Sequence, residues 1–401
     1  MKKLLFAVML MLVPHVILAA SVERTQQDAA AAITQGLSGN SLFDAISNNI
    51  NTRIGLTPSG PDDWQTLADI RSGYLAAEAL SPSLIPVGYI NNLSGINRIF
   101  DILSAAPDSC QISSGVTLWA SGLLQKSEFK WDLRSSDFNT SGASAGADIS
   151  IGRNTTIGLG YSYSESDIDL KISDLGYSQT QAAIATGIAF ANPVSIKTKG
   201  YFNAPFIYGR YKPSRLYFDF TLAYAMGSYK ESKNITDERV TADYDVNSVG
   251  VNISAGYDLR ISTSNFYVTP ELALNYANTD QKSYTDSAGN SAGSSNQNIM
   301  SALIGVKLRN VFKIKSLSII PNARLGASYA FIDDSAVRDI RFANGSSISV
   351  ESVVPDRFGL NIEFGILCAI TKSLDVSVIF NAQETGKYNT SLGLLTVKYK
   401  V

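Results

Sequence analysis

The chain has 401 residues, with 33 basic and 35 acidic side chains, a formal charge of −2 and one histidine. Charges this close to balance leave no basic stripe for a nucleic acid. No stretch after the first 20 residues is apolar for the length that a transmembrane helix needs, so any membrane crossing must be made by strands.

The chain opens Met1-Lys2-Lys3, runs apolar over 4–12 and reaches Leu18-Ala19-Ala20. A basic start, a short apolar run and small residues at the end predict a secretory signal peptide over 1–20, cut after Ala20 or Ala19. The run is too short to span a bilayer as a helix and is broken by Pro14. No cysteine stands immediately after the cut, so no lipid anchor is expected. Losing Lys2 and Lys3 takes the formal charge from −2 to −4. It also removes His15, the single histidine. A Ser-His-Asp triad needs an imidazole, and most zinc sites need His or several Cys. No cofactor or metal is therefore expected, and the chain is not expected to be an enzyme; any catalysis would have to use carboxylate, Lys or Asn chemistry.

Residues 21–82 are rich in Ala, Ser, Asn and Gln, as in Gln27-Asp28-Ala29-Ala30, and are divided by the turn-like Thr57-Pro58-Ser59-Gly60. Short helices and coil are expected there. Residues 83–115 form a linker. Within it, 83–104 reads as one amphipathic helix, because Ile85, Tyr89, Leu93, Ile96, Phe100 and Leu103 recur every three or four positions. Pro82 or Ser83 suits its start and Pro107 stops it. Such a helix either packs in a small soluble unit or threads a barrel.

From Val116 to Val401 the period changes to two. Phe218, Phe220, Leu222, Tyr224 and Met226 alternate with Asp219, Thr221, Ala223 and Ala225, and the pattern recurs over 248–259, 266–276 and 317–331. The segments have the length of tilted spanning strands, and their apolar faces end in tyrosines such as Tyr161, Tyr163, Tyr257 and Tyr329. Short turns at 152–154, 212–214, 262–264 and 371–373 alternate with long polar stretches at 230–245, 279–297 and 333–355, expected as outer loops. The fold class is therefore all-β: an antiparallel transmembrane barrel of about twelve strands. The strands are placed at 116–126, 139–152, 155–166, 199–211, 215–230, 244–260, 264–279, 297–310, 315–331, 355–369, 373–384 and 388–401. Residues 167–198 read equally as a long loop or an extra hairpin.

Parity points Asp148, Asp219, Asp258, Glu271, Lys307, Arg324, Glu363 and Asp375 into the lumen. These charges would form a paired network around a plug, a contact surface for the helix, or a proton donor. Cys110 and Cys368 are a candidate disulfide in an oxidising compartment. Against that pairing, Cys368 shares its face with Leu360, Ile362, Phe364 and Ile366 and is expected to face lipid. In the last strand Leu395, Val397, Tyr399 and Val401 alternate with Thr396, Lys398 and Lys400. An edge this apolar is expected to close against the strand at Val116.

These residues resemble a family, the autotransporter β-domain of type V secretion. The resemblance rests on Leu118-Trp119-Ala120-Ser121-Gly122, Ala145-Gly146-Ala147-Asp148-Ile149, Ile157-Gly158-Leu159-Gly160-Tyr161-Ser162-Tyr163, Tyr267-Val268-Thr269-Pro270-Glu271-Leu272 and the aromatic-ended final strand. Glu78-Ala79-Leu80-Ser81-Pro82 is also similar to the segment before such domains. The resemblance implies a twelve-stranded barrel in the bacterial outer membrane, a helix through its pore and an N-terminal passenger shown outside the cell. It implies a C-terminal assembly signal at Val397, Tyr399 and Val401, read by the barrel-assembly machinery after escort by periplasmic chaperones. Val401 stands where the family commonly has an aromatic, and only about ninety residues precede the barrel, far fewer than a usual passenger. A self-cleaving subset of the family cuts an Asn-Asn pair in the pore helix, for which Asn91-Asn92 is the match. The acidic residue that precedes that pair in the family is replaced here by Tyr89-Ile90.

The resulting expectation is an outer-membrane translocator displaying a short N-terminal segment and outer loops, an adhesin or surface antigen with an unidentified host ligand. The alternative is a porin-like channel with 21–105 as plug or periplasmic segment.

Overall fold

The computed structural model describes residues 115–131, 134–172, 195–235, 238–261, 265–314, 317–333, 337–341, 347–351 and 356–401. Twelve long strands dominate: β1 Val116–Trp131, β2 Arg134–Ile151, β3 Thr155–Ile172, β4 Ser195–Tyr211, β5 Leu216–Ile235, β6 Glu238–Tyr257, β7 Phe266–Gln281, β8 Ser295–Asn310, β9 Leu317–Asp333, β10 Phe358–Ala369, β11 Leu374–Thr385 and β12 Tyr388–Lys400. Each pairs antiparallel with its neighbours in sequence, and β12 pairs with β1, so the sheet closes into a barrel. No helix among the described residues is long and apolar enough to cross a membrane.

Closure satisfies every edge. The β12–β1 ladder runs from Thr117 opposite Lys400 to Phe129 opposite Tyr388. In hydrocarbon an unpaired backbone group costs several kcal/mol, so a spanning sheet survives only as a ring. The sequence alternation becomes two surfaces. On β5 Phe218, Phe220, Leu222, Tyr224 and Met226 are exposed outward, while Tyr217, Asp219, Thr221, Ala223 and Ala225 are buried inward. Phe358, Leu360, Ile362, Phe364 and Ile366 do the same on β10. So large an exposed apolar surface has no place in water and makes a band for lipid.

The interior is close-packed near β3. Gly158 faces inward, and a Cβ there would collide with the Tyr208 ring of β4. Gly152, at φ 65°, makes the β2–β3 turn. Pro205 lies in the gap of the β4–β5 ladder between Asn203 opposite Met226 and Phe206 opposite Ala223, where pairing lapses but the register holds. With no N–H to donate, proline interrupts a ladder.

One rim carries the ends of the barrel, Val116 and Val401, with the short turns. At the other, here the far rim, two expectations need correction. Residues 230–245 are not a long loop. β5 and β6 stay paired from Leu216 opposite Tyr257 to Ile235 opposite Glu238. Outward residues past Met226 are Ser228 and Lys230, so the apolar alternation fades although pairing continues. The stretches 279–297 and 333–355 also contain short strands, Tyr284–Thr285, Ser291–Ala292, Val337–Arg341 and Ser347–Glu351, which pair into a second, four-stranded sheet. The ambiguous 167–198 resolves at its ends, where β3 reaches Ile172 and β4 starts at Ser195. Residues 173–194 lie outside the described residues, as do the expected signal peptide, the 21–82 region and, apart from Gly115, the 83–115 linker with its expected helix at 83–104.

Candidate functional site: the barrel lumen

Asp148, Asp219, Glu271, Lys307, Arg324, Glu363 and Asp375 lie on the inward side of their strands, with Lys307 the least enclosed, and Asp258 is buried just past the end of β6. The structure groups most of them with partners that parity reading left unnamed. Arg210 donates from Nε and Nη2 to the two oxygens of Asp219, at 2.5 Å each. Asp258 accepts from Lys212 at 2.9 Å, from Thr269 at 2.7 Å and from Arg309 at 3.4 Å. Glu271 meets Arg324, Lys307 at 3.5 Å and the Tyr217 hydroxyl at 3.3 Å. Asp148 accepts from Tyr208 at 3.3 Å and faces Lys398 at 3.8 Å, and the Tyr208 hydroxyl accepts from Trp119 Nε1. Lys400 pairs with Asp375 at 3.1 Å. Glu363 stands opposite Arg324 in the β9–β10 register.

These charges line the half of the lumen nearer the terminal rim. Buried pairs of this kind add little net stability, since desolvation offsets attraction, but deleting one member leaves an uncompensated charge. Farther up, the lining turns to neutral hydroxyl pairs: Ser121 with Thr396 at 2.9 Å, Ser127 with Thr390 at 2.8 Å, Thr140 with Ser166 at 2.6 Å and Ser248 with Thr279 at 2.8 Å. The wall of β9–β12 is different again. Ile320, Leu367, Ile379, Leu392 and Leu394 form an inward apolar strip, with Leu123 packed against it.

The four-stranded sheet sits on the inward face of the β5–β6 extension. Tyr229 stacks on Tyr244 at 5.3 Å between ring centres, and Tyr244 on Tyr284 at 4.7 Å. Arg338 lies 5.9 Å from the Tyr284 ring centre and donates to Gln281 Oε1 and, at 2.9 Å, to Ser295 Oγ. Glu231 and Lys233 form a buried ion pair at 2.9 Å in the same cell. Burial raises the Glu231 carboxyl above its ordinary value, outweighing the lowering by Lys233 and Arg338.

The other sequence-derived sites are placed as follows. Val397, Tyr399 and Val401 are exposed on the outer face. Cys368 is a free thiol, partly exposed, at the terminal-rim end of β10. Its suggested disulfide partner Cys110, and the Asn91-Asn92 pair, lie outside the described residues. Among the described residues no group of three or more His, Cys, Asp and Glu side chains is arranged to hold a metal ion.

A closed twelve-stranded ring with an apolar outer band and a polar, charge-paired lumen defines a transmembrane β-barrel of the outer-membrane type. The family model for the autotransporter β-domain matches residues 118–381, and the chain belongs to that family. It is an outer-membrane autotransporter translocator. Solved structures agree on the fold. The translocator domain of the autotransporter NalP from Neisseria meningitidis aligns with a TM-score of 0.57 at 13% identity, covering 79% of this chain and 98% of that one. The transport unit of the autotransporter AIDA-I from Escherichia coli gives 0.53 at 15% identity, over 71% and 90%. The β domain of the Bordetella autotransporter BrkA gives 0.50 at 14% identity, over 72% and 100%. No curated protein sequence matches the chain.

Proposed function

We propose that the far rim faces outside the cell and that residues 83–104 of the same chain fill the lumen. The uneven lining supports this reading. An apolar strip of Ile320, Leu367, Ile379, Leu392 and Leu394 gives nothing to a water-filled pore. An amphipathic helix would lay Ile85, Tyr89, Leu93, Ile96, Phe100 and Leu103 on that strip and turn its polar side to the paired charges. Its 22 residues would extend roughly 33 Å, enough to cross the hydrocarbon core.

In this reading residues 21–82 and the far-rim loops are displayed on the surface, as an adhesin or surface antigen for an unidentified host ligand. The chain is not an enzyme, and the Asn91-Asn92 pair stays uncut. Assembly relies on the barrel-assembly machinery and periplasmic chaperones, which read the outward Val397, Tyr399 and Val401.

Protease shaving of intact cells, followed with an antibody to 21–82, tests display. Digestion without permeabilisation is the expected result, and protection until permeabilisation would defeat it. Bilayer recordings of the full chain test the filled lumen: low conductance is expected, and large steady channels would favour an open pore.

A further inference from the structure

We propose that the four-stranded sheet at the far rim is a cap that shuts the lumen over β5–β8, and that Arg338 is its latch. The proposal rests on the outward orientation given above only for which compartment the cap faces.

The barrel wall supplies one half of the seat. Tyr229, Glu231 and Lys233 continue the inward parity of β5 beyond the lipid band, and Tyr244 and Val246 do so on β6. Had the mouth been open, these positions would line a wet vestibule. Instead all five are buried. Tyr284, Ala292 and Ile340 of the second sheet are buried too, and Tyr284 and Ala292 pack in one apolar cluster with the two tyrosines and Val246.

The cap is also held by its backbone. Ser287 N–H donates to the Thr241 carbonyl at 2.8 Å and Lys282 N–H to the Asp245 carbonyl at 3.0 Å, which ties the β7–β8 connection to β6. Gly293 N–H donates to the Asp339 carbonyl at 2.8 Å, and Ser291 and Ala292 pair with Arg341 and Ile340. The β9–β10 segment Val337–Arg341 is thus sewn to the β7–β8 connection. Arg338 then reaches past it to the inward side chains Gln281 and Ser295, at the tops of β7 and β8. One side chain therefore fastens the cap to the tops of β7 and β8, beside the Tyr284 end of the tyrosine stack.

The closed state carries a cost of its own. Gln297, one inward step below Ser295, is fully buried, and neither atom of its amide has a hydrogen-bond partner among the described residues. An amide buried without partners forgoes the hydrogen bonds that water would give it, and opening would restore them. A seat built from stacked rings and one charged latch, over an amide that prefers water, is suited to open and close.

Gln297→Cys in a Cys110→Ser, Cys368→Ser background places a reporter thiol beneath the cap. A membrane-impermeant maleimide is applied to intact and to permeabilised cells, and an unboiled gel confirms that each barrel is folded. With the cap latched, labelling from outside should be slow. Arg338→Ala should speed it about ten- to hundredfold, the shift expected when hydrogen bonds from a charged donor are lost. Tyr284→Ala, which removes the cap's ring from the tyrosine stack, should act the same way and serves if Arg338→Ala does not fold. Equal rates with and without these substitutions, in both preparations, overturn the cap. Acceleration seen only after permeabilisation upholds the cap but reverses the orientation on which surface display depends.

Discussion

The backbone N–H of Val401 donates to the carbonyl of Val116 at 2.9 Å, so the last residue of the chain closes on the first residue of β1. Beside this bond Leu395, Val397, Tyr399 and Val401 face outward. The seam is therefore fastened by backbone pairing within and by lipid contact without, and its lipid side should tolerate charge according to depth. Ile362→Arg, in the middle of the β10 band, is expected to cost about 2–4 kcal/mol, and Tyr399→Arg, near the terminal rim, about 0–1 kcal/mol. Reversible urea unfolding from lipid vesicles measures both. Similar costs at the two sites would contradict the assigned band.

Arg210 and Asp219 test the lumen charges. Asp219→Asn is expected to destabilise the barrel by about 3–5 kcal/mol, because it strands a buried guanidinium. Arg210→Met with Asp219→Leu should recover most of that loss, since an apolar pair of similar volume is often neutral. The same unfolding assay decides, and a double variant as weak as the single one would show that the pair itself stabilises the barrel.

Gly158 and Tyr208 form a steric pair across β3 and β4. Gly158→Ala should cost about 1–3 kcal/mol by overpacking against the ring. The two sites should couple, so that Gly158→Ala costs little once Tyr208 is Ala. Additive losses in the double-mutant cycle would refute the contact.

Acid should favour the closed cap through Glu231. Burial raises its carboxyl in the closed state, and Lys233, Arg338, Asp286, Tyr244 and Tyr284 share its cell. A group raised on closure contributes fully below its ordinary value and loses that contribution as pH climbs through the raised one. Labelling at Gln297→Cys, normalised to an exposed reference thiol, should therefore slow as pH falls from neutral toward the ordinary carboxylate range. Glu231→Gln should flatten the slope, and an undiminished slope in that variant would remove Glu231 as its source.

Much of the barrel is legible in the sequence because lipid enforces a simple contrast. Wherever the outer face meets hydrocarbon, as at Phe218–Met226 or Phe358–Ile366, apolar and polar residues alternate, and strand number follows from counting such runs. The contrast fails in two places. On β4 the inward residues include Phe206 and Tyr208, aromatic yet interior, with Tyr208 admitted by the missing side chain at Gly158. That inversion conceals the parity of Arg210, the partner of Asp219. Above the lipid, outward residues become Ser228, Lys230 and Asp243, so 230–245 looks like a loop although every residue of β5 and β6 remains paired. The cap is harder still. Its strands have two to five residues, too few for any period, and Arg338 reaches Gln281 across 57 positions of sequence.

The uneven height of the barrel wall has a consequence for whatever approaches the cell. β5 continues nine residues past Met226, roughly 20 Å above the lipid at the usual rise and tilt, while β11 ends at Thr385, five residues beyond the exposed Phe380. The collar is thus a parapet on one side and a low sill on the other. With the far rim outward, as proposed above, an antibody, a phage tail or a neighbouring cell would meet the β5–β6 crest before the β11–β12 sill, so variation under immune or phage pressure should gather on that crest and spare the sill.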